Sequence, residues 1–120
     1  MASIESKSFD SPDEVRQFHA HGEAHVVNLD GRTVIKSTFE PGWRWSNDVK
    51  PIAGTDSCQT RHFGYMESGE MKVVMDDGTE LTARPGELVV IEPGHDAEVV
   101  GSDPCVFVDF GDVSNYAKSG

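Results

Sequence analysis

Apolar and polar residues alternate in short runs over most of the chain, and turn-forming residues separate the runs. Residues 26–29 are followed by Asp30-Gly31, a pair that favours a tight hairpin because both positions tolerate positive φ. Arg32–Phe39 puts Thr33, Ile35, Ser37 and Phe39 on one face before Pro41-Gly42 breaks it. Further strands are expected over residues 62–67, 71–75, 80–83, 87–91, 95–100 and 105–110. Ser68-Gly69, Asp76-Asp77-Gly78, Pro85-Gly86, Pro93-Gly94 and residues 101–104 supply the turns between them. About eight or nine strands at a spacing of roughly 8–12 residues predict an all-β sandwich or barrel.

The N-terminal part reads differently. Ser11 is a good N-cap, Pro12 suits a first helical position and Glu14 completes a capping box, so a short helix of about two turns is expected to end at Gly22. Val15 and Phe18 would form its apolar face. Residues 43–55, with Trp43, Trp45, Pro51 and Gly54, read as a long loop or irregular strand. The expected division is a leader and short helix over 1–24, a barrel over 25–112 and a mobile polar tail over 113–120.

Composition narrows the function classes. The formal net charge is −11, with only 10 Lys and Arg scattered along 120 residues. Phosphate backbones need clustered cations, so nucleic acid and anionic membrane are not expected partners. The longest apolar run, residues 88–91, falls far short of the roughly 18 residues of a membrane helix. The first residues lack the basic and apolar regions of a secretory signal, and the expected location is cytoplasmic. Cys58 and Cys105 do not make a disulfide framework, although one bridge between them stays open at this level.

Two segments carry a family likeness. His62-Phe63-Gly64-Tyr65-Met66-Glu67-Ser68-Gly69-Glu70-Met71 resembles the first cupin motif, and residues 85–95, Pro-Gly-Glu through Pro-Gly-His, resemble the second. Asp76-Asp77-Gly78 fits the hairpin between them, and the likeness extends from Pro41 to Asp109. It implies a cupin-type double-stranded β-helix, or jelly-roll barrel, with a polar pocket that often holds one divalent metal. The family's ligand positions are altered here. Counting back from Tyr65, the usual Glu falls on His62 and the two usual His fall on Asp56 and Cys58. In the second motif either the turn is two residues shorter and the ligand is His95, or the position falls on Ala97; the short spacing to Gly101 favours His95.

The resulting expectation is one divalent ion (Zn, Fe, Ni, Co or Mn) held by His62, His95 and Cys58. Asp56 or Asp96 would be a fourth ligand or an orienting carboxylate. Cys58 and His62 would share the inner face of one strand, being four residues apart. His62 and His95 must bring ring nitrogens within about 6 Å to share an ion. Trp43 and Trp45 would share a face, lining the pocket mouth, meeting a second copy or covering one end of the barrel. His19, His21 and His25 lack a fixed scaffold and are discounted. Gly69, Gly78 and Gly94 are assigned to turns that need positive φ.

The function expected is metal binding with metal-dependent chemistry on a small organic molecule. The alternative is a non-catalytic module for small-ligand binding or dimerisation, without metal. No catalytic residue can be assigned, because the fold hosts many chemistries. A homodimer is expected, since open strand edges need cover.

Overall fold

The computed structural model describes residues 3–118. Nine strands dominate: β1 Glu14–Gln17, β2 Gly22–Leu29, β3 Arg32–Phe39, β4 His62–Ser68, β5 Glu70–Met75, β6 Glu80–Ala83, β7 Leu88–Ile91, β8 His95–Val100 and β9 Cys105–Asp109. Two one-turn helices, α1 Trp45–Asp48 and α2 Lys50–Ala53, lie between β3 and β4. A six-stranded sheet in the order β1-β2-β3-β9-β4-β7 packs against a three-stranded sheet in the order β6-β5-β8. Every pairing is antiparallel; short connections account for β1–β2, β2–β3 and β5–β6, and the other four pairings join strands distant in sequence. The architecture is the double-stranded β-helix that the resemblance to cupins implied.

Alternation explains the core. Ile35 and Phe39 of β3, Met66 of β4, Met71 and Val73 of β5, Val89 of β7 and Phe107 of β9 point between the sheets and are buried. Asp30 and Gly31 both take positive φ, at 52° and 71°, which is the backbone a two-residue hairpin needs. Gly64 has a different reason: a Cβ there would lie 2.0 Å from the Val108 carbonyl oxygen, so only glycine lets β4 and β9 approach this closely.

Three expectations need correction. The chain after Ser11 is not a helix but leads into β1, which pairs with β2 from Glu14↔Val26 to Gln17↔Glu23. A two-turn helix is marginal by itself, whereas the edge of β2 offers a ready ladder. Residues 43–55 are not an irregular strand: Trp45 and Val49 are buried by the turns of α1 and α2, and the Asp48 carboxylate accepts the Arg44 backbone N–H at 3.0 Å. The segment after β9 is not a loose polar tail, because Val113, Tyr116 and Ala117 are buried; residues 119 and 120 lie outside the described residues.

Arg16 holds that segment down. Its buried guanidinium donates to the carbonyls of Val113 at 2.9 Å, Ser114 at 2.7 Å and Tyr116 at 2.8 Å. Arg16→Met keeps the apolar stem and removes these bonds. We expect a loss of about 2–3 kcal/mol in urea unfolding and early amide exchange at residues 113–117. Exchange unchanged from wild type would mean that burial of Tyr116 alone fixes the segment.

Candidate metal centre

His62 opens β4 on the inner face, in phase with Gly64 and Met66, while Phe63, Tyr65 and Glu67 point outward. His95 opens β8 directly after Gly94, whose φ of 94° makes the sharp turn possible. Cys58 sits outside any strand and forms an isolated antiparallel bridge with His95. Its N–H donates to the His95 carbonyl at 2.7 Å, and the Gly94 N–H donates to the Cys58 carbonyl at 2.7 Å. Cys58 therefore reaches the site by pairing across the second-motif turn, not by sharing a continuous strand with His62.

The three side chains converge. Cys58, His62 and His95 are buried, and one donor atom of each lies within 4.8 Å of the others. The Cys58 Sγ is 3.6 Å from His62 Nε2. The imidazole rings of His62 and His95 meet edge to face at 5.1 Å between centroids. Among the described residues this is the one group of three or more His, Cys, Asp or Glu side chains close enough to hold an ion.

Each ring nitrogen that does not face the cluster has its own partner. His62 Nδ1 donates to the buried carboxylate of Asp109 at 2.5 Å. The other Asp109 oxygen accepts the backbone N–H of Phe63 at 3.2 Å and of Gly111 at 3.0 Å. His95 Nδ1 donates to the Glu92 carbonyl at 2.8 Å. A carbonyl can only accept, and an ionised carboxylate can only accept, so both Nδ1 atoms carry protons. In the neutral rings both Nε2 lone pairs are then free for a metal, the arrangement typical of ligating histidines.

The electrostatics follow from burial and proximity. Burial pushes the Cys58 thiol up, but hydrogen bonds from His62 and His95 and the charges on those rings outweigh it, leaving the thiol at about 6. Burial pushes His62 down, and its bonds to Asp109 and Cys58 overcome that, raising the ring to about 9. Without metal, the pair rests near pH 7 as thiolate and imidazolium. The Tyr116 ring packs edge-on against His62 at 5.1 Å. Burial, reinforced by the negative charges of Cys58 and Asp109, drives its hydroxyl well above the ordinary range.

His62 and His95, but not Cys58, line a partly open apolar pocket of about 50 Å³ between the two sheets. His62, His95, Trp43, Trp45 and Tyr116 contribute to its wall, and the remaining lining is Met, Val, Ile, Ala and Phe.

The other sequence candidates lie elsewhere. Asp56 is exposed in the loop before Cys58 and outside the cluster; the loop lets its side chain face solvent. Asp96 Oδ1 accepts the N–H groups of Ser46 at 3.1 Å and Ala97 at 2.9 Å, so it ties α1 to β8. Ala97 lines the cavity but offers no ligand atom, which leaves His95 as the second-motif donor. His21 pairs with Asp48 at 3.1 Å, His25 with Glu23 and the Phe9 carbonyl, and His19 is exposed. Both cysteines are free thiols. Asp109 was not picked out from the sequence. Its signal was available: Cys105, Phe107 and Asp109 share the inner face of β9, and a carboxylate in phase with a core face requires a partner.

Comparison with solved structures places the fold. The polyketide cyclase RemF from Streptomyces resistomycificus superposes with a TM-score of 0.63 at 18% identity, covering 90% of this chain and 78% of the cyclase. A Klebsiella pneumoniae protein with a double-stranded beta-helix domain gives 0.61 at 21% identity, covering 95% and 88%. Lactobacillus farciminis oxalate decarboxylase gives 0.59 at 15% identity; the match covers 82% of this chain but only 30% of the decarboxylase. No family model and no curated protein sequence matches the chain. These likenesses show that the chain has the double-stranded β-helix fold.

The donor set fits a metal. One thiolate and two imidazoles suit Zn, Fe, Co or Ni better than Mn, which prefers oxygen ligands. The buried orienting partners on both Nδ1 atoms add to that fit.

Proposed function

We propose that this chain binds one divalent metal ion through Cys58, His62 and His95, with a coordination position left toward the cavity for a small organic ligand. The observation that carries the reading is the convergence of three buried donor atoms within 4.8 Å, with each of the two imidazoles held by a carboxylate or backbone carbonyl on its other nitrogen. The bound ion would supply Lewis-acid or redox chemistry to that ligand. The chain's own groups would position it: Asp109 orients His62, the Glu92 carbonyl orients His95, and the apolar wall excludes water. The cavity wall has no Asp, Glu, Lys or Arg, which favours binding without catalysis as the second reading.

Elemental analysis tests the proposal. Protein purified without added metal, then reconstituted with zinc, is expected to hold about one ion per chain. Cys58→Ala and His62→Ala are each expected to lower affinity by more than about 100-fold, and His21→Ala to leave it unchanged. Uptake of no ion by the wild type after reconstitution, or equal uptake by all variants, would discard the reading.

We also propose a homodimer formed through β4 and β7. Phe63 and Tyr65 pair across the strands with Val90 and Leu88, and all four point outward. Leu88 is 75% exposed on β7, an edge of the six-stranded sheet. No charge lies among these four, so two chains of net charge −11 can meet there without burying like charges. Sedimentation should give a dimer at micromolar concentration and a monomer for Leu88→Glu; a monomeric wild type refutes it. Two free thiols, one of them a proposed ligand, suit a reducing compartment, and the cytoplasm is the location we propose.

A further inference from the structure

The segment after β9 lies over the cluster as a strap. Val113, Tyr116 and Ala117 are buried, while Ser114, Asn115 and Lys118 are exposed. The Tyr116 ring packs edge-on against His62. A pocket of about 180 Å³, distinct from the one between the sheets, takes its wall only from residues 45–60 and from residues 115–118 of the strap. Trp45 and Tyr116 line both pockets, so they form the partition between them. Cys58 lines only the pocket at the strap, yet it is just 1% exposed. The thiol is thus closed off on the side where the strap crosses it.

One side chain fastens the strap. Its start is set by the Asp112 N–H, which donates to the Arg61 carbonyl at 2.9 Å. Beyond that point, among the described residues, the hydrogen bonds that join residues 113–118 to the rest of the chain all come from Arg16. The strap's own bonds are two local ones, from the Tyr116 N–H to the Val113 carbonyl at 3.1 Å and from the Lys118 N–H to the Asn115 carbonyl at 3.2 Å. Ala117 takes a φ of 54°, a left-handed conformation that strains an alanine, and opening would release that strain. A segment with few bonds and a single fastening point opens at lower cost than the strands around it.

We propose that residues 113–118 are a lid over the Cys58–His62–His95 cluster, that Arg16 is its latch, and that Cys58 is reached from outside only when the lid lifts. The lid rests on the packing around the thiol and goes beyond the reading of a metal centre, since it governs access whether or not an ion is what enters. The other way in is the pocket between the sheets. That pocket does not reach Cys58, and its wall is almost wholly apolar, so a hydrated ion would lose its water there without gaining partners. The pocket at the strap carries hydroxyl and amide side chains on Thr60, Gln59 and Asn115, which can stand in for water during entry. If the cluster holds a metal, the lid sets how fast the ion comes and goes.

The rate at which Cys58 reacts with methyl methanethiosulfonate in reduced, metal-free, full-length protein reads lid opening. The thiolate attacks the sulfenyl sulfur, a methyl disulfide forms and methanesulfinate leaves, so peptide masses follow each thiol separately. Cys105, buried at the end of β9 opposite the strap, reports opening of the barrel itself in the same sample. Arg16→Met should speed modification of Cys58 by about 10–100-fold and leave Cys105 unchanged. Arg16→Lys keeps the charge but lacks the planar fork that spans three carbonyls, so it should fall between; it carries the test if the methionine variant does not fold. Equal acceleration of both cysteines would mean a loosened barrel, and an unmoved Cys58 rate would mean another way in; either overturns the lid. Zinc exchange on the same proteins separates the two readings. Where the wild type takes up zinc, Arg16→Met should speed uptake and release about equally and leave affinity little changed. Faster release alone would mean that Arg16 braces the ligands and is not a latch. Zinc uptake with Cys58 rates unmoved by Arg16→Met would keep the metal centre and remove the lid; selective acceleration of Cys58 in a protein that takes up no zinc would do the reverse.

Discussion

Replacing Asp109 with asparagine is expected to lower metal affinity by about 10–100-fold, the usual consequence of losing an orienting partner behind a ligating histidine. The geometry says why the loss should exceed the effect on folding. One Asp109 oxygen accepts the N–H groups of Phe63 and Gly111, and an asparagine oxygen can keep both. Its amide nitrogen then faces His62 Nδ1, where the carboxylate used to accept. An NH2 group donates, so Nδ1 must become the acceptor and the ring proton moves to Nε2, the atom that faces Cys58. A protonated Nε2 has no lone pair for a metal. Stability should fall by about 1–3 kcal/mol. Asp109→Ala removes the acceptor from both backbone groups and leaves the His62 charge unpaired, so it should cost about 3–5 kcal/mol. Zinc competition with a chromophoric chelator and urea unfolding separate the two effects. Wild-type zinc affinity in Asp109→Asn would show that Asp109 braces the strands and does not orient the ligand.

The strand framework was readable because each turn in it needs a particular residue. Asp30-Gly31, Gly69, Gly78 and Gly94 all take positive φ in the folded chain, and few other residues do so without strain. His62 and His95 were readable through the resemblance to the two cupin motifs, whose ligand positions fall on or beside them. Cys58 was named as a ligand for a partly mistaken reason. Residues 59–61 are not strand, and the thiol is carried in by its bridge to His95. Sequence separation along one segment cannot show a pairing across two. The stretch after Ser11 carries good capping residues, yet β1 forms because β2 presents an unpaired edge, so tertiary pairing overrides local signals. Arg16, about a hundred residues earlier, reaches the carbonyls around the buried Tyr116. Nothing near Tyr116 in sequence records that contact.

Metal affinity is expected to fall by about a thousandfold between pH 7 and pH 5, and the sum comes from the two shifted groups. His62 is protonated up to about 9, so a metal must displace its proton throughout this range, at about tenfold in affinity per pH unit. That gives about 100-fold over two units. Cys58 titrates at about 6, so it is largely thiolate at pH 7 and largely thiol at pH 5, which contributes about another tenfold. Zinc binding at pH 7 should therefore release about one proton, from His62, measurable as buffer-dependent heat in calorimetry. The metal-free fold should behave differently. The folded His62 stays protonated above its ordinary value of 6.5, so its contribution is full below about 6.5 and is lost as pH rises toward 9. The folded Cys58 is deprotonated below its ordinary value of 9.0, so its contribution is full above about 9 and is lost as pH falls toward 6. Between about 6.5 and 9 the two slopes have opposite signs and nearly cancel. Urea midpoints of metal-free protein should then change little across that window, while the added stability from a fixed concentration of zinc rises steeply with pH. Thiolate absorbance near 240 nm should rise with a midpoint near 6 in the wild type and be absent in Cys58→Ala. A thiolate midpoint near the ordinary 9.0 would show that the His62 and His95 rings do not face Cys58, and the metal centre would go with it.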